Sequence, residues 1–155
     1  ERIFNIKNDS GTKLLSFICS DLKDIARYAK VSDYAYRTMK HLLPGPYTFI
    51  LPAAKEVPKK LWSNRKTVGI RVPNHPVCLG IVKELGHPII STSTTNRKGD
   101  VLYNPLDIKH IFNSNVDLML ASGNLMGSPS SVIDLSDDEP EVIREGAGDV
   151  SLFVY

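Results

Sequence analysis

Two stretches decide the fold: Leu43-Pro44-Gly45-Pro46-Tyr47-Thr48-Phe49-Ile50-Leu51-Pro52 and Thr67-Val68-Gly69-Ile70-Arg71-Val72. In the first, neither leading proline can continue a helix and Gly45 permits a sharp turn. The chain therefore stops and restarts as the β-rich run Tyr47–Leu51, closed by Pro52. The second is apolar and β-branched, the composition of a strand, with a guanidinium set inside it. Outward from these, helices and strands alternate. Leu14–Cys19 is a short apolar run suited to a strand buried on both faces. Ser20 or Asp21 can cap a helix over Leu22–Ala29, and Ser32 or Asp33 another over Tyr34–Leu43. Pro76–Leu85 has helical spacing with Gly86 as its C-cap, and Asn104–Asn113 is a helix with Pro105 in its first turn. Further strands are expected at Pro88–Thr92, Val116–Leu120, Ser131–Leu135 and Glu141–Arg144, the last two joined by a turn at Asp137–Pro140. The alternation predicts a mixed α/β sheet flanked by helices, in a single domain over residues 1–155.

Composition narrows the class. The chain has 155 residues, 42% hydrophobic and 23% charged, ordinary values for one globular domain. Apolar runs such as Leu118–Ala121 fall far short of the ~20 residues a membrane helix needs. No charged segment followed by an apolar one opens the sequence as a secretory signal would. Cys19 and Cys78 form no Cys-x-x-Cys pair and read as small core residues of a reduced, cytoplasmic protein. A net charge of +2 is compatible with anionic ligands and demands none. Residues 1–7, Glu-Arg-Ile-Phe-Asn-Ile-Lys, have helical apolar spacing with no capping residue ahead of them. The expectation is a helix entered partway, with an N-terminal segment upstream.

Three segments place polar groups at strand ends, where open α/β sheets hold ligands. Arg71 lies in an apolar run and needs an anionic partner, either a sequence-distant carboxylate or a bound anion. Ser91-Thr92-Ser93-Thr94-Thr95-Asn96 offers hydroxyls and an amide that suit carboxylate or phosphate oxygens, and equally suit a hydroxyl-rich turn. Ser130-Ser131 opens one strand and Arg144, with Gly146 and Gly148 behind it, ends its neighbour, as a ligand clamp or a plain hairpin would. His41, His75, His87 and His110 lack the spacing of a zinc site, and no Gly-x-Ser-x-Gly elbow occurs. With anion clamps and hydroxyls but no evident nucleophile or base, the pattern suits nucleotidyl transfer by positioning and charge stabilisation, or a binding pocket.

Taken in order, Arg2–Lys7, Leu43–Leu51, Val68–Pro76, Pro88–Asn96, Pro129–Leu135 and Ile143–Gly148 resemble the YrdC-like family of threonylcarbamoyl-AMP synthases. Arg65-Lys66-Thr67, Glu56-Val57-Pro58 and Asp134–Asp138 look most like its YciO branch. The resemblance implies a twisted, open mixed sheet with a concave, positively lined cavity. It also implies condensation of L-threonine, bicarbonate and ATP to threonylcarbamoyl-AMP with release of pyrophosphate, for modification of tRNA adenosine 37. By that similarity Lys7, Thr67, Thr94, Asn96 and Arg144 face the nucleotide, and magnesium accompanies the triphosphate. Arg71, Thr92 and Ser130 hold threonine or its carbamate, with Ser16 at the pocket's edge. The family's Lys-x-Arg and Lys-Pro-Leu stand here as Lys7-Asn8-Asp9 and Lys13-Leu14-Leu15, which puts a carboxylate where the family has a phosphate-facing arginine and predicts weaker ATP binding. The usual Ser-Ala-Asn stands as Thr94-Thr95-Asn96. Two other functions remain open on sequence: a module for double-stranded RNA or tRNA, using Lys55, Lys59, Lys60, Arg65 and Lys66, or a nucleotide-binding domain without synthase activity.

Overall fold

Side-chain caps set where several of the described helices begin. In the computed structural model, which describes residues 2–7, 15–58, 61, 66–96, 98–112, 114–125, 127–137 and 139–154, Asp21 Oδ1 accepts from Asp24 N at 2.9 Å and opens α2, Leu22–Tyr28. Ser32 Oγ accepts from Ala35 N at 3.1 Å and opens α3, Asp33–Leu42. These bonds satisfy amide groups that the first turn of a helix leaves without partners. Gly86 ends α4, Pro76–Leu85, at φ 68°, a left-handed conformation that glycine adopts without strain. Asn104 Oδ1 accepts from Leu106 N at 2.8 Å ahead of α5, Pro105–Phe112. The opening helix is also present, as α1, Arg2–Lys7.

Among the described residues six strands form one open mixed sheet. They are β1 Ser16–Ile18, β2 Tyr47–Pro52, β3 Thr67–Arg71, β4 Ile89–Ser91, β5 Ser131–Asp134 and β6 Glu141–Arg144, in the spatial order β4-β1-β3-β2-β5-β6. β1 runs parallel to β3 and β2 parallel to β5, while the other three pairs are antiparallel. The expected mixed α/β class and open sheet are therefore present. One expectation is corrected. The strand expected at Val116–Leu120 is absent. An apolar run suits a strand, but a ladder also needs a neighbouring backbone, and here Leu118 is 76% exposed. The first strand is buried on both faces as expected, since Phe17 and Ile18, adjacent and therefore on opposite faces, are both buried, while Ser16 at its start is partly buried.

The chain divides into two compact units, Glu1–Lys13 with Thr92–Pro129, and Leu14–Ser91 with Ser130–Tyr155. The larger unit contains the sheet and its core. Side chains alternate along a strand, so every second residue shares a face. Phe17 and Cys19, then Val68, Ile70 and Val72, then Tyr47, Phe49 and Leu51, then Ile133 and Leu135, all point to one side. Ile25 and Ala29 of α2 and its cap, Ala35 and Met39 of α3, and Phe153 of a short 3-10 turn pack on that side. Removing this much apolar surface from water is the main stabilising term of the unit.

The far end of the chain is strapped to the same face. Ser131, fully buried and opposite Tyr47 in register, donates to Gly148 O at 2.6 Å and accepts from Gly146 N at 2.9 Å. Tyr47 Oη donates to Asp149 O at 3.1 Å. Gly148 lies against the Tyr47 ring, where an added Cβ would come within 2.7 Å of Cζ. Gly148→Ala is expected to destabilise the protein by about 1–3 kcal/mol, the usual cost of overpacking a closed site, read as a lower denaturation midpoint; an unchanged midpoint would show the strap free to move away from Tyr47.

Cys19 is fully buried, and burial, helped by the charges of Asp24 and Asp21, pushes its thiol up to about 12 from an ordinary value of 9.0. Its folded pKa exceeds its unfolded one, so its contribution to stability is complete below about pH 9 and declines as pH rises through the folded value. Denaturant midpoints measured from pH 8 to 11 should fall more steeply for the parent protein than for Cys19→Ala, the difference approaching about 1.4 kcal/mol per pH unit; parallel curves would contradict the assignment.

Candidate functional site

The same alternation that collects the core on one side of the sheet collects hydroxyls and arginines on the other. Ser16 opposes both Gly69 and Ser91, and Ile50 opposes Gly69, so Ser91, Ser16, Gly69 and Ile50 form one cross-strand row. Two residues along their strands, on the same face, are Thr67 and Arg71 of β3 and Thr48 of β2. Extending the Phe49–Ile70 register by one step places Thr48 opposite Arg71. Thr48 pairs with Val132, and Val132 with Arg144, across a bulge that leaves Ile143 as the extra residue. Ser130, two residues before Val132, completes the set. Five residues named from the sequence, Ser16, Thr67, Arg71, Ser130 and Arg144, thus share one face of the larger unit.

Hydrogen bonds organise this face into two groups. At one end Ser16 Oγ and Ser91 Oγ lie 2.9 Å apart, and Ser91 Oγ also donates to Ser16 O at 3.2 Å. At the other, Arg144 donates to the Ser130 carbonyl from Nε at 3.1 Å and Nη2 at 2.7 Å, and Nη2 reaches Ser130 Oγ at 3.4 Å. Ser130 Oγ in turn lies 2.8 Å from Thr48 Oγ1. Between the groups Gly69 leaves the floor low, since a Cβ there would sit 3.3 Å from Ser16 Cβ and 3.4 Å from Thr48 Cγ2.

Arg71 is the unsatisfied member. Its Nε is buried without a hydrogen-bond partner, and among the described residues neither Arg71 nor Arg144 forms an ion pair with a carboxylate. Burial pushes its guanidinium below the ordinary arginine value; Cys78 opposes that shift and the positive charge of Arg144 adds to it. Of the two readings left by the sequence, the distant carboxylate is not found among the described residues. A desolvated cation beside a second cation is the arrangement an anion relieves. His75, the N-cap of α4, has an Nδ1 that is likewise buried and unpartnered.

Lys7, Thr92, Thr94 and Asn96 belong to the smaller unit. Lys7 Nζ donates to Ser93 O at 3.0 Å, to Thr95 O at 3.1 Å and to Thr95 Oγ1, and lies 6.0 Å from the Phe112 ring centroid. Asn96 organises a tight turn: its Oδ1 accepts from Lys98 N and Asp100 N, both at 2.9 Å, and its Nδ2 donates to Asp100 Oδ2 at 2.9 Å. Thr94 Oγ1 donates to Leu102 O at 3.4 Å, and Thr92 is exposed. Lys7 and Asn96 line a cleft of about 640 Å³ with Lys98, His110 and Phe112. Of the basic residues weighed for RNA, Lys55 and Lys66 are exposed, while Lys59, Lys60 and Arg65 lie outside the described residues. No helix among the described residues is long and apolar enough to cross a membrane.

Sequence reading missed Thr48 and Ser91 as partners of the named hydroxyls. No local signal marked either partnership, because each depends on strand pairing between residues that lie 75 and 82 positions apart.

The chain matches the Sua5/YciO/YrdC family, described as telomere recombination, over residues 1–146. It is 40% identical to YciO of Escherichia coli (strain K12) over 156 residues, covering 99% of this chain and 76% of that protein. The crystal structure of E. coli YciO superposes with a TM-score of 0.92 over 99% of this chain and 75% of that one. Identity to the threonylcarbamoyl-AMP synthase of Nitrosococcus oceani is 30% over 121 residues, 77% of this chain and 65% of that protein. P. abyssi Sua5, solved in complex with L-threonine, superposes with a TM-score of 0.85 at 26% identity, over 94% of this chain and 43% of that one. With the motifs, the sheet order and these matches in agreement, the chain belongs to the Sua5/YciO/YrdC family.

Proposed function

We propose that the protein binds L-threonine and ATP and joins them, with bicarbonate, into threonylcarbamoyl-AMP, releasing pyrophosphate. The observation that carries this reading is Arg71, a partly buried arginine whose Nε is buried without a partner, set beside Arg144 on a sheet face floored by small hydroxyl residues. Threonine brings a carboxylate, and its carbamate brings a second anionic group. Arg71 would take one of them through charge-assisted bonds, and Ser130 and Ser16 would supply hydroxyl contacts of modest reach. Relatives support the choice of amino acid, since P. abyssi Sua5 was solved with L-threonine and the N. oceani relative is named for this reaction.

Chemically, bicarbonate and the threonine amine condense to a carbamate with loss of water. The carbamate oxygen then attacks the α-phosphorus of ATP and pyrophosphate departs. The protein's part is to neutralise and orient, which needs no nucleophilic side chain. The cleft of the smaller unit is the place proposed for the nucleotide, where Lys7 and Lys98 supply positive charge beside the carboxylate of Asp100. Magnesium would enter with the triphosphate, as part of the substrate.

Incubation with ATP, L-threonine and bicarbonate is expected to release pyrophosphate only when all three are present. Arg71→Ala should lower the rate about a hundredfold, as expected when a charge-assisted contact to a partly buried guanidinium worth roughly 3 kcal/mol is lost. Arg71→Lys should not restore it, since an ammonium lacks the planar fork. No pyrophosphate together with no thermal shift on adding threonine would refute the proposal.

A further inference from the structure

We infer that Thr48 is a positioning residue that aims the Ser130 hydroxyl at the anion held by Arg71. The inference rests on the reading of this sheet face as the threonine or carbamate site. A serine hydroxyl has one proton to give and two lone pairs to fill. Arg144 Nη2 approaches one lone pair of Ser130 Oγ at 3.4 Å and also grips the Ser130 carbonyl, so the guanidinium can only donate. Thr48 Oγ1 stands 2.8 Å from the same oxygen, and either hydroxyl could be the donor. Among the described residues Thr48 Oγ1 has no other hydrogen-bond partner. With Thr48 donating, both lone pairs of Ser130 are occupied and its proton is left over.

That spare proton is what an anionic ligand needs. Were Ser130 to donate to Thr48 instead, it would offer a bound carboxylate lone pairs, and the contact would be repulsive. An anion beside Arg71 therefore selects the arrangement in which Thr48 donates. The surroundings hold Thr48 in that arrangement. Its backbone is in the centre of the sheet, and its methyl group faces Gly69, where even an added Cβ would lie 3.4 Å away. A β-branched threonine, restricted at χ1, keeps its hydroxyl on the Ser130 side while the methyl occupies the glycine side. Valine preserves the shape and deletes the donor. Serine keeps the donor and deletes the methyl.

The test compares Thr48→Val, Thr48→Ser and Ser130→Ala in the full chain, singly and with Thr48→Val combined with Ser130→Ala. Titration with L-threonine should show affinity reduced about tenfold by Thr48→Val, equivalent to 1.4 kcal/mol, and restored to within about twofold of the parent by Thr48→Ser. ATP affinity should be unchanged in both. In the Ser130→Ala background, Thr48→Val should add less than about twofold, because its effect passes through Ser130. Additive losses, or wild-type affinity in Thr48→Val, would overturn the inference. A crystal structure of Thr48→Val decides the same point without any ligand: the Ser130 hydroxyl should leave its present rotamer, and an unmoved Ser130 would sink the inference. Should Thr48→Val fail to fold, Thr48→Ala carries the same expectations. A parent protein that binds no threonine would instead count against the proposed function, and the Ser130 rotamer would still judge Thr48.

Discussion

The two-residue period of a β-strand governs both halves of what the larger unit does. β2 and β3 lie at the centre of the sheet, and each must bury one set of alternate side chains against α2 and α3. Phe49, Leu51, Val68 and Ile70 take that side, which leaves Thr48, Gly69 and Arg71 no choice but the other. A slip of one residue would bring the guanidinium into the apolar core and expose Phe49. Burial of the core thereby fixes the register, and the register fixes which polar groups meet. The site is a consequence of the core on the same strands.

That coupling explains why an unpaired, partly buried arginine is tolerated. Its desolvation is unfavourable by itself and the neighbouring Arg144 makes it worse. Packing on the opposite face holds β3 in place regardless, through Val68, Ile70 and Val72. Unfavourable electrostatics of this kind are found where a ligand completes the pattern, because binding then relieves a cost already present in the free protein. Gly69 contributes by omission. It keeps the floor between Ser16 and Thr48 free of a side chain, at the conformational cost that glycine brings to a central strand.

Much of this was legible in the sequence, for identifiable reasons. Caps and stops are local: Asp21, Ser32, Gly86 and Pro105 act within a few residues of themselves, so the helices begin and end close to where these residues predict. Arg71 stood out because a guanidinium in an apolar strand needs a partner wherever the strand goes. Residues 116–120 misled because an apolar run records only what a strand's side chains favour, while the ladder depends on a second backbone distant in sequence. Thr48 was invisible for a related reason. Its importance comes from Ser130, 82 residues away, and from the parallel pairing of β2 with β5 that brings the two hydroxyls together.

The named residues of the smaller unit differ from Arg71 in a way that bears on energetics. Lys7 has acceptors at Ser93 and Thr95, and Asn96 spends its amide on the turn to Asp100. A phosphate that approached Lys7 would have to replace bonds the lysine already makes, so only the difference between a charged acceptor and neutral carbonyl acceptors would favour binding. A ligand at Arg71 displaces no carboxylate found among the described residues, and relieves a partly buried guanidinium. For equal charge, the arginine site should therefore contribute more to affinity than the lysine site. Asn96 is better understood as the residue that shapes the backbone around Thr94 and Thr95 than as a direct ligand. Removing its amide would loosen the turn and, with it, the two threonine oxygens that hold Lys7 in place.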